Sequence, residues 1–305
     1  MSSDHGNIML ETIARSGKNP RVVDIAMLGA HDALTAGIGP RAPFDPNNPD
    51  ITFLRRNALL RFFAKGMIAR LAKTQVSSAY ALARHGVRFF DIRASLVDGT
   101  WYAAHALLAQ PLEECLRDFR RFLQETEGEV LVLSFYAEAQ GEEDSLMRWV
   151  HDYFFGYVRY DASKIPLGDL RFSDATQGGS GAVILYEHPE EAHGPWHNTN
   201  NSKTLLRKVA AENEKLKAEM GKRAGRFRWT QTQLTAQTAF PAILRTVTDW
   251  SLLRMAHRLN YRLLAGLPGW LPQMPVFSVD YADNTNHDFN DRAIAIINAH
   301  NRRLT

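Results

Sequence analysis

The chain has 305 residues, 45% of them apolar, and a formal net charge of +3. That supply of apolar residues builds a full core and excludes wholesale disorder, while the charge is too small to call for nucleic acid as a partner. Its single cysteine, Cys115, excludes an internal disulfide and a cysteine-built zinc site.

In chain order, the polar start Met1-Ser-Ser-Asp-His-Gly-Asn lacks the pattern of a signal peptide. No apolar run reaches the roughly 20 residues of a membrane span. A cytoplasmic or peripheral membrane location is therefore expected. The first strand-like run is 22–29. A helical pattern follows at 63–84, apolar on one face with Lys65, Arg70 and Lys73 on the other. Strand-like runs at 87–96 and 101–106 lie close enough for a hairpin. A helix at 111–127 starts with Pro111 in its first turn and stops at Gly128. Strands at 130–136, 182–186, 227–231 and 275–281 then alternate with helices at 142–157, 201–222, 238–264 and 287–301. Strands separated by helical patterns indicate βαβ units and a parallel sheet. The repeated unit predicts an α/β fold, a distorted TIM-type barrel closed on itself, as one domain over 1–305 with its core at about 20–302.

Active sites of such barrels lie at the C-terminal ends of the strands. His31, Arg93, Glu138, Glu187, Gln233 and Asp280 fall at or just beyond those ends. Alternation along a strand places Asp91 and Arg93 on one face. Arg93 is then suited to an anionic phosphate, with Asp91 orienting it. Asp280 closes the last strand beside the first and can accept a hydrogen bond from His31. Taken singly, His31 also reads as a loop histidine beside an N-cap aspartate, His105 as a core histidine, and Asp280 as a helix cap. Together they supply two imidazoles, carboxylates and a guanidinium, an inventory for cleaving a phosphodiester by acid–base catalysis.

Met27-Leu-Gly-Ala-His31-Asp32-Ala-Leu-Thr35 resembles the first motif of the phosphatidylinositol-specific phospholipase C X domain. Gly86-Val-Arg-Phe-Phe-Asp91-Ile-Arg93 resembles the second. His105-Ala-Leu-Leu, Gly128-Glu-Val-Leu-Val-Leu-Ser134, Ile165-Pro-Leu-Gly-Asp-Leu-Arg171 and Val276-Phe-Ser-Val-Asp280-Tyr continue the series in order. The resemblance implies a phospholipase C-like barrel that cleaves a phospholipid or glycolipid phosphodiester through a cyclic phosphate. It implies His31 as general base, His105 as general acid, Asp32 paired with His105, and Asp280 supporting His31. It implies Arg93 in the place that calcium has in the eukaryotic branch, so no metal or other cofactor is expected.

The headgroup side departs from the family pattern. Its lysine after the third-strand serine and its arginine on the next strand are replaced here by Phe135-Tyr136-Ala137-Glu138 and Tyr186-Glu187-His188. Glu138, Tyr186, Glu187 and Gln231 are the candidates for sugar hydroxyl contacts. Two other functions stay open. One is a metal-dependent phosphodiesterase of glycerophosphodiester type with Asp91 and Glu138 among its ligands. The other is a barrel that binds a lipid headgroup without turnover. The basic amphipathic stretches at 59–73 and 250–270 read either as helices packed on the barrel or as faces for a lipid surface.

Overall fold

Seven apolar runs become strands, and they curl with their connecting helices into a distorted TIM-type barrel. The computed structural model describes residues 4–49, 58–186, 192–223, 225–235, 252–283 and 288–305. The sheet has nine strands: β1 (Met27–Ala30), β2 (Val87–Val97), β3 (Thr100–His105), β4 (Leu107–Pro111), β5 (Val130–Ala137), β6 (Gly181–Tyr186), β7 (Ala192–His193), β8 (Phe227–Gln231) and β9 (Val276–Val279). β1 is central, parallel to both β2 and β9. Beyond β9 come β8 and the two-residue β7, while β5 pairs with β2 and β6 with β5. Among the described residues no pairing joins β6 to β7, so the sheet is curled but not closed there, in contrast to the closed ring expected from the alternation. The short β7 has only β8 as a partner.

β2 is the longest strand because it serves three neighbours. Its first residues pair with β1, residues 89–94 with β5, and its last four antiparallel with β3. Asp91 and Arg93 stand where it leaves β1 for the hairpin. β4 extends that hairpin and was not expected. Pro111 ends it, pairing with Tyr102, and the helix begins one residue later at Leu112–Glu125.

Aromatic stacking fills the interior. Phe89 lies 5.5 Å from both Phe227 and Trp229, centroid to centroid. Gly29 permits this close approach of strands, since a Cβ there would sit 2.8 Å from the Phe89 ring and 3.1 Å from the Phe277 carbonyl. The helix Leu112–Glu125 buries Leu112, Cys115, Leu116, Phe119, Phe122 and Leu123, one apolar stripe at helical spacing. Phe119 meets Phe90 edge-on at 4.6 Å. Both basic amphipathic stretches also pack inward. Ala69 and Ala72 contact the Ile38–Leu107 cluster, and the helix Leu252–Leu263 buries Leu252, Met255, Ala256, Leu259 and Leu263.

The helical pattern at 63–84 is two helices, Ala58–Ala72 and Ala79–Arg84, rather than one. The break at 73–78 is a tertiary effect. Residues 74 and 75 give up helical geometry for hydrogen bonds to the ends of β1 and β9.

Candidate active site

The site forms at the C-terminal ends of β1, β3, β5 and β9 and at the middle of β2, where that strand leaves β1 for the hairpin. His31 follows β1, its N–H donating to Val279 of β9 at 3.1 Å. Asp32 then takes a left-handed φ of +40°, uncommon outside glycine, and Ala33 N–H donates to Asp91 O at 2.7 Å. Ala106 after His105 and Tyr281 after Asp280 also have positive φ, +59° and +54°. Each of these three strand ends thus turns sharply at or just after the residue that it presents.

Asp32 is the hub. Its Oδ1 lies 2.6 Å from Arg93 Nε, and its Oδ2 lies 3.2 Å from His31 Nε2 and 3.3 Å from His105 Nδ1. On the other edge of His31, Nδ1 is 2.8 Å from Asp280 Oδ1, and Asp91 Oδ2 approaches Nε2 at 4.0 Å. His105 Nδ1 is also 2.9 Å from the Ala72 carbonyl, which leaves Nε2 for proton exchange. The two imidazoles stand 6.2 Å apart, nearly perpendicular at 79°. Arg93 reaches Glu138 at 3.6 Å and lies over the Tyr136 ring. Its side chain is 34% exposed while Asp32 is fully covered, so the guanidinium is the cation offered to an incoming anion.

The electrostatics follow from that geometry. Burial opposes charge on His31, but Asp32, Asp280 and Asp91 outweigh it and push the imidazole up to about 9. Burial likewise works against Asp32, yet Arg93, His105 and His31 hold it well below the usual carboxylate range. Burial, Arg93 and His31 push His105 down despite Asp32. Asp91 and Glu138 are pushed up, chiefly by burial. Burial pushes Asp280 up too, against its hydrogen bond from His31. In the free protein at neutral pH the charge therefore rests on His31 rather than on His105.

The structure brings together His31, Asp32, Asp91, Arg93, His105, Glu138 and Asp280. It differs from expectation in how they pair. The carboxylate against Arg93 is Asp32, with Glu138 behind it, whereas Asp91 faces His31. Asp32 contacts both imidazoles and not His105 alone. Gln231 ends β8 and is engaged elsewhere, donating to the Gly194 carbonyl just after β7 at 2.8 Å and accepting from Gln233. Tyr186 ends β6, with only its backbone position described, and Glu187 lies outside the described residues. Thr35, Thr74 and Gln75, all buried behind the site, were missed. Thr74 and Gln75 carry no catalytic signal and stand in a stretch that reads as helix. The sole hint was the β-branched Thr74 followed by Ser77-Ser78, a break and a cap.

His31, Asp32 and Asp91 offer ligand atoms within 4.8 Å of one another, a spacing that a cation would accept. Arg93, 2.6 Å from Asp32, already places a positive charge against that carboxylate.

No family model matches the chain. It is 30% identical over 142 residues to the variant-surface-glycoprotein phospholipase C of Trypanosoma brucei brucei, covering 42% of this chain and 38% of that protein. It is 24% identical over 222 residues to the human PI-PLC X domain-containing protein 3, covering 66% of this chain and 67% of that protein. The chain is related to the phosphatidylinositol phospholipase C X-domain proteins. The fold agrees. A phosphatidylinositol-specific phospholipase C from Staphylococcus aureus superposes with a TM-score of 0.68 over 98% of each chain at 14% identity. The enzyme of that name from Listeria monocytogenes gives 0.61 over 96% of this chain and 99% of that one, also at 14% identity. The segments that resemble X-domain motifs thus run through β1, β2 and β9, and their polar residues meet at one mouth.

Raised and lowered imidazoles make the pH profile a test of this site. A reaction that uses one of these imidazoles as base and the other as acid needs the first neutral and the second protonated, so its kcat/KM is expected to be bell-shaped. With the base high and the acid low, the product of the two fractions still breaks at the same two values. The rising limb belongs to His105, below the ordinary histidine range, and the falling limb to His31, near 9. Asp280→Asn removes the carboxylate on Nδ1, and the falling limb should move down by about one pH unit or more. A limb that stays near 9 in that variant would detach His31 from the profile.

Proposed function

We propose that the chain is a phospholipase C-like phosphodiesterase acting on a lipid-linked phosphodiester, with no metal in the reaction. The observation that carries this reading is the shared carboxylate: Asp32 sits between two imidazoles and one guanidinium within 3.3 Å of each. The anionic phosphate lies against Arg93. His31 Nε2 takes the proton of a substrate hydroxyl next to the phosphodiester. That oxygen attacks phosphorus and closes a five-membered cyclic phosphate. Arg93 faces the charge that builds on the phosphoryl oxygens, and His105 Nε2 gives its proton to the departing lipid oxygen as the old P–O bond breaks. An internal nucleophile is already in position, which lowers the barrier by roughly 7–11 kcal/mol at best.

The proton starts on the other ring. A phosphodiester beside Arg93 and His105 adds negative charge there, which favours the imidazolium of His105 over that of His31. Substrate binding then prepares the base and the acid together. The relatives support a lipid substrate by their names alone, phospholipase C and PI-PLC. On the headgroup side Glu138, 3.6 Å from Arg93, is the candidate acceptor for sugar hydroxyls. Among the described residues no helix is long and apolar enough to cross a membrane.

The metal-dependent alternative rests on the 4.8 Å cluster of His31, Asp32 and Asp91. A panel of phospholipids and glycolipids assayed with and without EDTA separates the two. Turnover of one lipid class, unchanged by the chelator, is expected. Activity lost with EDTA and restored by a divalent cation would overturn the metal-free reading, and binding without turnover of any lipid would favour a headgroup-binding barrel.

A further inference from the structure

From the end of the helix at Ala72, residues 73–75 cross behind the site as a strap on the way to the next helix. Thr74 and Gln75 are fully covered. The Gln75 amide donates to His31 O at 2.9 Å and to Val279 O at 3.0 Å, and its Oε1 accepts from Ala282 N–H at 2.9 Å. One side chain thereby joins the residue after β1 to both flanks of Asp280. Thr74 Oγ1 donates to Asp32 O at 2.8 Å, and Thr74 O accepts from Tyr281 N–H at 2.7 Å. Those are two of the residues with positive φ, +40° and +54°. Non-glycine residues in such a conformation cost about 1–3 kcal/mol each and persist where neighbours over-determine them. Thr35 Oγ1 accepts from both strap N–H groups, at 3.1 and 3.0 Å. Tyr281 Oη donates to Lys73 O at 2.7 Å, and Ala72 O meets His105 Nδ1.

We infer that Gln75, assisted by Thr74, is a positioning residue that holds the ends of β1 and β9 in register and so sets the 2.8 Å hydrogen bond between His31 and Asp280. Neither strap side chain touches an imidazole atom in these contacts. Gln75 acts through the carbonyls of His31 and Val279. The groups that face His31 are Asp280 from β9, Asp32 on its own turn, Asp91 and, through Asp32, Arg93 from β2, and His105 from β3. The strap adds the neutral side chains of Thr74 and Gln75. Loosening it weakens the contacts with Asp280 and Asp32 that hold the proton on His31. The inference rests on the proposed role of His31 for its consequence in turnover, but its test needs no substrate.

Gln75→Met keeps the approximate volume and removes all three hydrogen bonds. The titration of His31 is followed by NMR of the histidine ring signals, assigned by the signal missing in His31→Gln. His31 should titrate at least about one pH unit lower in Gln75→Met than in the wild type, a tenfold change in its proton affinity. Thr74→Val, which removes only the hydroxyl that donates to Asp32 O, should shift it in the same direction by less, and serves if Gln75→Met does not fold. An unshifted His31 in a folded Gln75→Met, or in Thr74→Val where that variant alone folds, would reduce the strap to a stability element. Because no lipid is involved, that failure is separate from a failure to find phosphodiesterase activity.

Discussion

Replacing Arg93 by lysine should lower kcat/KM by about 10²–10³-fold, the loss expected when one preorganised donor to a developing oxyanion is removed. The guanidinium is held at two edges, Nε on Asp32 at 2.6 Å and Nη1 toward Glu138 at 3.6 Å, with the Tyr136 ring alongside. A lysine ammonium keeps the charge but lacks the planar fork, so it cannot sit on Asp32 and face a phosphoryl oxygen in the same geometry. Asp32 would also lose the 2.6 Å contact with Nε that helps to hold it ionised. Steady-state rates on the accepted lipid check this, with circular dichroism to show that the variant is folded. A rate close to wild type would remove Arg93 from the chemistry.

Loss of either imidazole should be comparable or larger. His31→Ala and His105→Ala are each expected to lower kcat by about 10²–10⁴-fold, the usual contribution of a positioned proton-transfer group. The double variant should fall little further, because groups that act as a unit are not additive. Asp32 contacts both rings, at 3.2 and 3.3 Å, which gives that coupling a structural basis. Single-turnover rates of the three variants provide the comparison. Effects that multiply in the double variant would mean that the two histidines work independently.

Most of the barrel was legible because its strands are short apolar runs that end in a polar residue. That pattern exposed β1, β2, β5, β6, β8 and β9, and the spacing of β2 and β3 gave the hairpin. β4 was hidden because Pro111 reads equally well as the start of a helix, and β7 because two residues carry no periodicity. The reach of β2 past β5 into the hairpin follows from pairing partners far away in the chain, which no local pattern encodes.

The catalytic candidates were legible for a related reason: His31 and Asp280 directly follow β1 and β9, and Arg93 stands near the end of the parallel-paired part of β2. Their pairing was less so. Alternation correctly placed Asp91 and Arg93 in one site, but the left-handed turn at Asp32 swings that carboxylate against Arg93 and leaves Asp91 facing His31. A positive φ at aspartate leaves no mark in composition. The strap was invisible because residues 63–84 continue an apolar helical period through Thr74 and Gln75. Only contacts to β1 and β9 break that period, and these form once the sheet has curled.

The product decides the central claim more directly than any variant. Phosphorus NMR of the water-soluble product, collected early in turnover of phosphatidylinositol or another accepted lipid in the presence of EDTA, should show the resonance of a five-membered cyclic phosphate ahead of any acyclic monoester. An acyclic monoester formed from the first turnover, with no cyclic species before it, would contradict attack by the substrate's own hydroxyl under the paired histidines.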